Sequence, residues 1–208
     1  MPESKIDRVW NVMLVGVGGQ GVVLASDILA AAALVAGLDV KKSEIHGMSQ
    51  RGGSVFSHVR FGPKVHSPTI PHGEVDVLYS LERIEALRWA GWARPGAAVC
   101  YIDHVIHPFG VKAYDPGVDD DIARLFGITI RFDDHELKSL INAKTKNTAL
   151  LGAVSLLVPL PEEAFVNVLA DHVPAGTALV NASAFAVGRQ LGAAALSART
   201  QQEAAHVE

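Results

Sequence analysis

Two glycine-rich stretches hold most of the residues that could do chemistry. Gly16-Val17-Gly18-Gly19-Gln20-Gly21 fits the pattern G-x-G-x-x-G. Glycines at that spacing permit positive φ and let another group come close to the backbone. Free N–H groups at the start of a following helix favour an anion. A phosphate or a dinucleotide is the ligand such a turn would take; a tight strand–helix junction without any ligand uses the same residues. A dinucleotide would also need an acidic ribose contact about 20 residues further on. Glu44 is the candidate, and Lys41 and Lys42 beside it suit a phosphate instead.

The second stretch is His46-Gly47-Met48-Ser49-Gln50-Arg51-Gly52-Gly53-Ser54. Arg51 between glycines would offer a forked cation to an anion, with the Ser49 and Ser54 hydroxyls as further donors. His46 could hydrogen-bond a substrate or move a proton near neutral pH, or fix the loop backbone as polar loop side chains do. A plain connecting loop, its Arg51 paired with a carboxylate of this chain or a neighbour, fits the same residues.

Other candidates carry less. His104 and His107 lie three apart, but Pro108 and Gly110 make a loop there, and a metal site needs more ligands than two. Asp133, Asp134 and Glu136 read as a helix start, where acidic side chains cap free N–H groups. Cys100 is the only cysteine and sits in an apolar run, as a small buried hydrophobe would. One cysteine allows no internal disulfide, which fits a reducing cytoplasm. It also cannot hold an iron–sulfur cluster, which takes four thiolates. No G-x-S-x-G elbow of a hydrolase is present.

The elements that must position these groups follow from periodicity and breakers. Val9 to Val15 reads as a buried strand, Val22 to Ala36 as a helix stopped by Gly37, and Asp39 to Glu44 as a short strand. Ser54 to Phe61 alternates: Val55, Ser57, Val59 and Phe61 face one way, Phe56, His58 and Arg60 the other. Gly62-Pro63-Lys64 would turn that strand into a hairpin with Val65 to Ser67. Strands are also predicted at 75–80, 97–102 and 128–132. Helices are predicted at 82–92, 119–126, 134–141, 145–157, 161–173 (with Pro161 at the first helical position) and 179–191. The expected fold is α/β: a Rossmann-like three-layer arrangement with a largely parallel sheet, a β-hairpin insertion and a helical C-terminal layer. Residues 1–8 would form an N-terminal extension, 9–192 the domain, and 193–208 a flexible, frayed tail.

The 208 residues are enough for one domain. Hydrophobic residues make up 49%, yet no stretch reaches the ~20 apolar residues of a membrane span. The surplus would either line a buried sheet or face a partner chain. A net charge of −4 with no long basic run argues against nucleic acid. Charged residues without an apolar core at the N-terminus argue against a secretory signal, so a cytoplasmic location is expected.

Taken as a pair, Gly16–Gly21 and His46–Val55 resemble the gamma-type domain of 2-oxoacid:ferredoxin oxidoreductases. Ser57-His58-Val59-Arg60-Phe61-Gly62, Ser67-Pro68-Thr69-Ile70-Pro71 and Asn147-Thr148-Ala149-Leu150-Leu151-Gly152-Ala153 are similar to the beta subunits of indolepyruvate:ferredoxin oxidoreductases. The likeness covers residues 10 to 192; residues 103–121 and the stretch beyond Leu191 depart from it. It implies a subunit without redox centres of its own. A large partner would carry thiamine diphosphate and iron–sulfur clusters, and the complex would decarboxylate an aryl 2-oxoacid oxidatively to an acyl-CoA and reduce ferredoxin. The absence of the Gly-Asp-Gly opening of a thiamine diphosphate motif agrees with that division. The resemblance further implies that Gly16, Gly18, Gly19, Gln20, Gly21, His46, Gly47, Ser49, Gln50, Arg51, Gly52, Gly53 and Ser54 lie toward a shared interface and active site. Lys144 and Lys146 are candidates for the CoA phosphates, or stand in water. A free-standing dinucleotide-binding oxidoreductase and a non-catalytic regulatory module remain the alternatives.

Overall fold

A computed structural model describes residues 6–46, 53–107, 115 and 117–205. Its core is a six-stranded sheet in the order β2-β3-β1-β4-β5-β6. The strands are β1 (Trp10–Val17), β2 (Asp39–His46), β3 (Ser54–Gly62), β4 (Val75–Ser80), β5 (Ala93–Ile102) and β6 (Ile128–Phe132). The four strands β1, β4, β5 and β6 run parallel. Such strands are covered on both faces, and β4 is accordingly buried at every position. β3 joins β1 antiparallel, and β2 joins β3 antiparallel.

The hairpin differs from the one expected. Its arms are β2 and β3, with Val40 opposite Phe61 and His46 opposite Val55. Residues 63–67 are not a strand. The side chain of Asp39, at the head of β2, accepts the Val65 N–H at 2.8 Å and ties that segment down as a loop instead. The alternation of β3 is as predicted: Val55, Val59 and Phe61 pack on one face, Phe56 on the other.

Two helical layers cover the sheet. Val12, Leu14, Val77, Tyr79, Cys100 and Ile102 pack under α1 (Val22–Val35), α5 (Lys146–Val154), α6 (Glu162–His172) and α7 (Ala178–Ala205). Met13, Val15, Leu78, Val99 and Tyr101 pack under α2 (Arg83–Arg88) and α3 (Val118–Leu125). α4 (Asp134–Leu140) adds Leu137 to the first layer. Each fully buried aliphatic side chain contributes about 1.5–3 kcal/mol. α5 is buried on all sides from Asn147 to Val154, as expected of a helix lodged between a sheet and another helix. Gly152 and Gly188 let α5 and α7 touch: a Cβ on Gly152 would lie 2.2 Å from the Phe185 carbonyl oxygen, and one on Gly188 1.7 Å from that of Ala149.

α2 is shorter than predicted. It ends at Arg88, and the chain tightens into a 3₁₀ turn at Ala90–Trp92. Pro161 serves as the N-cap of α6 rather than its first residue. α7 does not stop at Leu191 but runs to Ala205. Ala195 and Leu196 pack against the core, and an Arg199 N–H donates to the Gly127 carbonyl oxygen, so regular helix stands where frayed chain was expected. Among the described residues no helix is long and apolar enough to cross a membrane.

Candidate functional site

The first glycine turn leaves the C-terminal end of β1 and enters α1. Gln20 holds its shape: Oε1 accepts the Val17 N–H at 2.7 Å, and Nε2 donates to the Leu81 carbonyl oxygen at 3.3 Å. Gly21, at φ 88°, is the N-cap of α1 and supplies no side-chain cap. A Cβ there would lie 2.5 Å from Asn147 Nδ2, which donates to the Gly21 carbonyl oxygen at 3.3 Å. Asn147 is itself fixed, because Tyr79 Oη donates to its backbone carbonyl at 3.0 Å. The helix start carries no acidic residue in its first turn. Its partial positive charge therefore faces outward unopposed by side chains of that turn.

The second glycine stretch meets the first. Gly18 N–H donates to the Gly53 carbonyl oxygen at 2.9 Å. Ser54, the first residue of β3, donates its hydroxyl to Glu85 Oε2, whose carboxylate also accepts from Trp89 Nε1 at 3.0 Å and Arg88 Nε at 2.9 Å. The Ser54 hydroxyl thus anchors the loop's end to α2 and is committed within the chain. His46 closes β2 opposite Val55. Gly47, Ser49, Gln50, Arg51 and Gly52 lie outside the described residues. The first glycine turn and the Gly53 end of the second stretch thus sit side by side at one end of the inner strands β1 and β3.

A cleft of about 530 Å³ opens on each side of the first turn. One is mostly apolar, walled by Val17, Val22, Leu24 and Val55 with Asp27 at its side. The other lies past the C-terminal ends of β4 and β5, between Gln20, Leu81, His104, Lys144 and Lys146. α1 packs on one face of the sheet and α2 and α3 on the other. The crevice between β1 and β4 is therefore where the winding reverses, the place where open α/β sheets bind ligands.

Carboxylates brace the second cleft from behind. Asp134 receives Lys138 at 2.6 Å, Lys146, and His104 Nδ1 at 3.0 Å. Burial would raise its pKa, but the lysine contacts outweigh that and hold it at about 2. Asp133, not Asp134, is the N-cap of α4, accepting the Glu136 N–H at 2.8 Å. Glu82 caps α2 by accepting the Glu85 N–H at 2.7 Å and reaches the Ile106 N–H at 3.2 Å. Burial pushes its carboxyl above the usual range, against the pull of those backbone donors.

Sequence reasoning missed Asn147, Glu82, Glu85 and the Asp134 cluster as parts of the site's frame. Asn147 opens the Asn147–Ala153 stretch, but only the fold shows it under Gly21. The spacing of His104 and His107 suggests a metal pair, but the described side-chain partner of His104 is Asp134. Among the described residues no group of three or more His, Cys, Asp or Glu could hold a metal ion. An iron–sulfur cluster does not fit this chain's donors: Cys100 is fully buried in β5, and burial drives its thiol well above the usual range.

The dinucleotide reading loses its second contact. It needs a parallel strand beside β1 carrying the acidic residue. Here antiparallel β3 stands beside β1, and Glu44 is a further strand away on β2, about 10 Å from β1 at ordinary strand spacing. Lys42 bonds Asp27, Glu44 and the Ser26 hydroxyl, so its ammonium is committed within the chain rather than offered to a phosphate.

Comparison with known proteins agrees with this geometry. Indolepyruvate oxidoreductase subunit IorB of Thermococcus kodakarensis is 38% identical over 194 residues, spanning 87% of this chain and 95% of that one. The same subunit of Pyrococcus horikoshii is 37% identical over 193 residues, spanning 87% and 95%. The keto/oxoacid ferredoxin oxidoreductase gamma subunit of Geobacter sulfurreducens shares the fold, with a TM-score of 0.68 over 90% of this chain and 98% of that one, at 22% identity. A model of the pyruvate ferredoxin/flavodoxin oxidoreductase family matches residues 11–191, which takes in both glycine stretches and the Asn147 helix beneath them. With the fold, the paired turns and that match in agreement, the chain belongs to the pyruvate ferredoxin/flavodoxin oxidoreductase family.

Proposed function

We propose that this chain is the subunit without redox centres of an indolepyruvate:ferredoxin oxidoreductase. A larger partner carries thiamine diphosphate and the iron–sulfur clusters. Together they decarboxylate indolepyruvate, or another aryl 2-oxoacid, to the acyl-CoA and carbon dioxide while electrons pass to ferredoxin. Membership of a 2-oxoacid:ferredoxin oxidoreductase complex follows from the family. The indole substrate is carried over from relatives 38% and 37% identical. The division of cofactors is supported by a single buried cysteine in the 208 residues.

The observation that carries the reading is the Gly18 N–H to Gly53 carbonyl bond. It ties the first glycine turn to Gly53, the described end of the second stretch, beside the start of α1, which has no side-chain cap. That turn supplies backbone N–H donors, and the sequence carries a forked cation, Arg51, two residues before Gly53. Their task is to place an anionic group and to exclude water where the partner's reacting centre docks. The chain does no electron chemistry itself. Thiamine diphosphate in the partner would supply the carbanion-stabilising chemistry of decarboxylation.

Affinity purification of the chain from its native source tests the reading. A large cysteine-rich polypeptide should co-purify, and turnover of indolepyruvate should require both chains. An isolated chain that is monomeric, stable and active on indolepyruvate would refute it.

A further inference from the structure

The outer edge of β6 has the chemistry of a pairing edge. No strand stands beyond β6 in the sheet. Asp103, just past the end of β5, donates its N–H to the Phe132 carbonyl oxygen, so the backbone groups of Phe132 face β5. By the alternation of a parallel ladder, those of Ile128 and Ile130 face β5 as well, and the N–H and C=O groups of Thr129 and Arg131 point outward. Backbone groups left open in this way invite another strand. The opposite edge, β2, is a different case. Lys41, Lys42 and Glu44 lie along it, and charges of that kind keep an edge unpaired. β6 reads Ile-Thr-Ile-Arg-Phe, mostly good strand formers with a single charge. A cleft of about 420 Å³ opens beside Gly127 and Thr129, between α3 and α7. Ala123, Ala195 and Ala198 in its walls are small and let a second backbone come close. Thr129 Oγ1 is buried there without a partner among the described residues.

We propose that β6 pairs with β6 of a second copy, antiparallel across a two-fold axis, so that the two sheets join into one. A two-fold contact must be self-complementary, and one register is. Centred on Ile130, it pairs every residue of the strand: Ile130 with Ile130, Ile128 with Phe132, and Thr129 with Arg131. Thr129 and Arg131 have the outward backbone groups, so each such pair exchanges both of its bonds. The pair occurs twice across the axis. Ile130 and Phe132 lie on the face that α7 covers. Thr129 and Arg131 lie on the other face, where Arg131 already meets Asp103 and Asp119. A guanidinium has N–H groups beyond those two contacts, and one turns to the Thr129 hydroxyl of the second copy. Centring on Arg131 would set two guanidiniums against each other, which is destabilising. Centring on Thr129 would leave Phe132 opposite no strand residue. The Ile130 register also puts the second copy's Asp133 opposite Gly127, whose carbonyl oxygen accepts from Arg199. Opposite charges therefore meet at both ends of the contact. None of this depends on the reaction proposed above.

Sedimentation equilibrium and amide exchange on the full chain test the contact. In a dilution series the mass should fall from twice 22.1 kDa to that of one chain. The Thr129 and Arg131 amides, read singly by NMR, should exchange about tenfold more slowly in the dimer than after dilution. The Leu14 amide, on β1 inside the sheet, should not change. Thr129→Pro removes an outward N–H from each copy and leaves the ladder to β5 whole, as proline on an edge strand does. It should weaken the dimer dissociation constant about tenfold or more, with circular dichroism unchanged. The amide readings need no variant, so they decide the matter if the proline chain does not fold. A single chain at every concentration would overturn the inference. So would a dimer that Thr129→Pro leaves untouched, or Thr129 and Arg131 amides protected in a chain that sediments singly, because the edge would then be covered from within. Protection that appears only when the large partner is added would give the edge to a strand of that partner and also sink the second copy. Indolepyruvate turnover of the assembled complex is a separate reading, and its failure alone would sink the proposed function and spare this contact.

Discussion

At single residues, backbone conformation and side-chain chemistry make separable demands on the glycine edge. Gly21 is fixed by two of them at once: φ of 88° and Asn147 Nδ2 where a Cβ would sit. Gly21→Ala should cost about 1–3 kcal/mol, from left-handed strain plus displacement of the amide. It should lower the midpoint of thermal unfolding and the turnover of the assembled complex together. Arg51→Ala makes the opposite pattern. A cation that serves the reaction and not the fold should leave thermal unfolding within about 0.5 kcal/mol when removed. The substitution should lower kcat/KM for the 2-oxoacid at least tenfold, about 1.4 kcal/mol in transition-state terms. Unchanged turnover would favour the regulatory-module reading instead. Ser54→Ala separates a ligand role from a frame role for that hydroxyl. Its bond to buried Glu85 predicts a stability loss of about 1–3 kcal/mol, with substrate KM unmoved.

At the scale of elements, local pattern set the helices and strands, while pairing and packing decided their partners. β4 and β6 were legible to the residue because apolar runs between turn signals leave little freedom. The hairpin was misassigned because Gly62-Pro63 is a good turn in sequence, and nothing local reports that the Asp39 side chain captures Val65 N–H. The end of α7 was missed because its last turns are polar; their packing against the core through Leu196 is a tertiary fact. The glycine edge was legible as two motifs, but its frame of Asn147, Glu85 and Asp134 was not, since those residues lie far away in sequence. Two predictions belong here. Gly188→Ala should gain up to about 1 kcal/mol from helix propensity. Yet its Cβ would meet the Ala149 carbonyl oxygen at 1.7 Å, and forced separation of packed helices costs about 1–3 kcal/mol or more. Packing wins, and the variant should unfold at lower urea. The second concerns Asp134, which links α4, the His104 segment and α5. Its folded pKa of about 2 lies below the ordinary 3.8. A depressed acid stabilises the fold above its unfolded value and loses that contribution as pH falls through the folded one. Stability should therefore fall between pH 4 and pH 2. In Asp134→Asn that part of the acid limb should be absent and stability at pH 7 lower, as urea midpoints across that range would show.

For the molecule as a whole, the two ends of the parallel strands carry different groups. The first glycine turn, Gly53, both clefts and the Asp134 cluster gather at the C-terminal ends of the parallel strands. At the opposite ends, Asp76 on β4 is buried between Arg8 and Arg94, with contacts of 2.9 and 2.5 Å, and accepts the Asn11 N–H at 2.8 Å. Both arginines are over 40% exposed, so water screens much of each attraction. The hydrogen bonds to a desolvated carboxylate remain, and losing its charge there costs about 1–3 kcal/mol. Asp76→Asn should therefore lower the unfolding midpoint of the chain and reduce how much complex assembles. The complex that does assemble should turn over its 2-oxoacid with kcat/KM within twofold of wild type. Arg51→Ala should show full assembly and a tenfold deficit. If Asp76→Asn instead lowered kcat/KM per assembled complex as far as Arg51→Ala does, the two ends of the sheet would be coupled. The chain would then act through a shape change spread along the strands, not through a rigid edge offered to its partner.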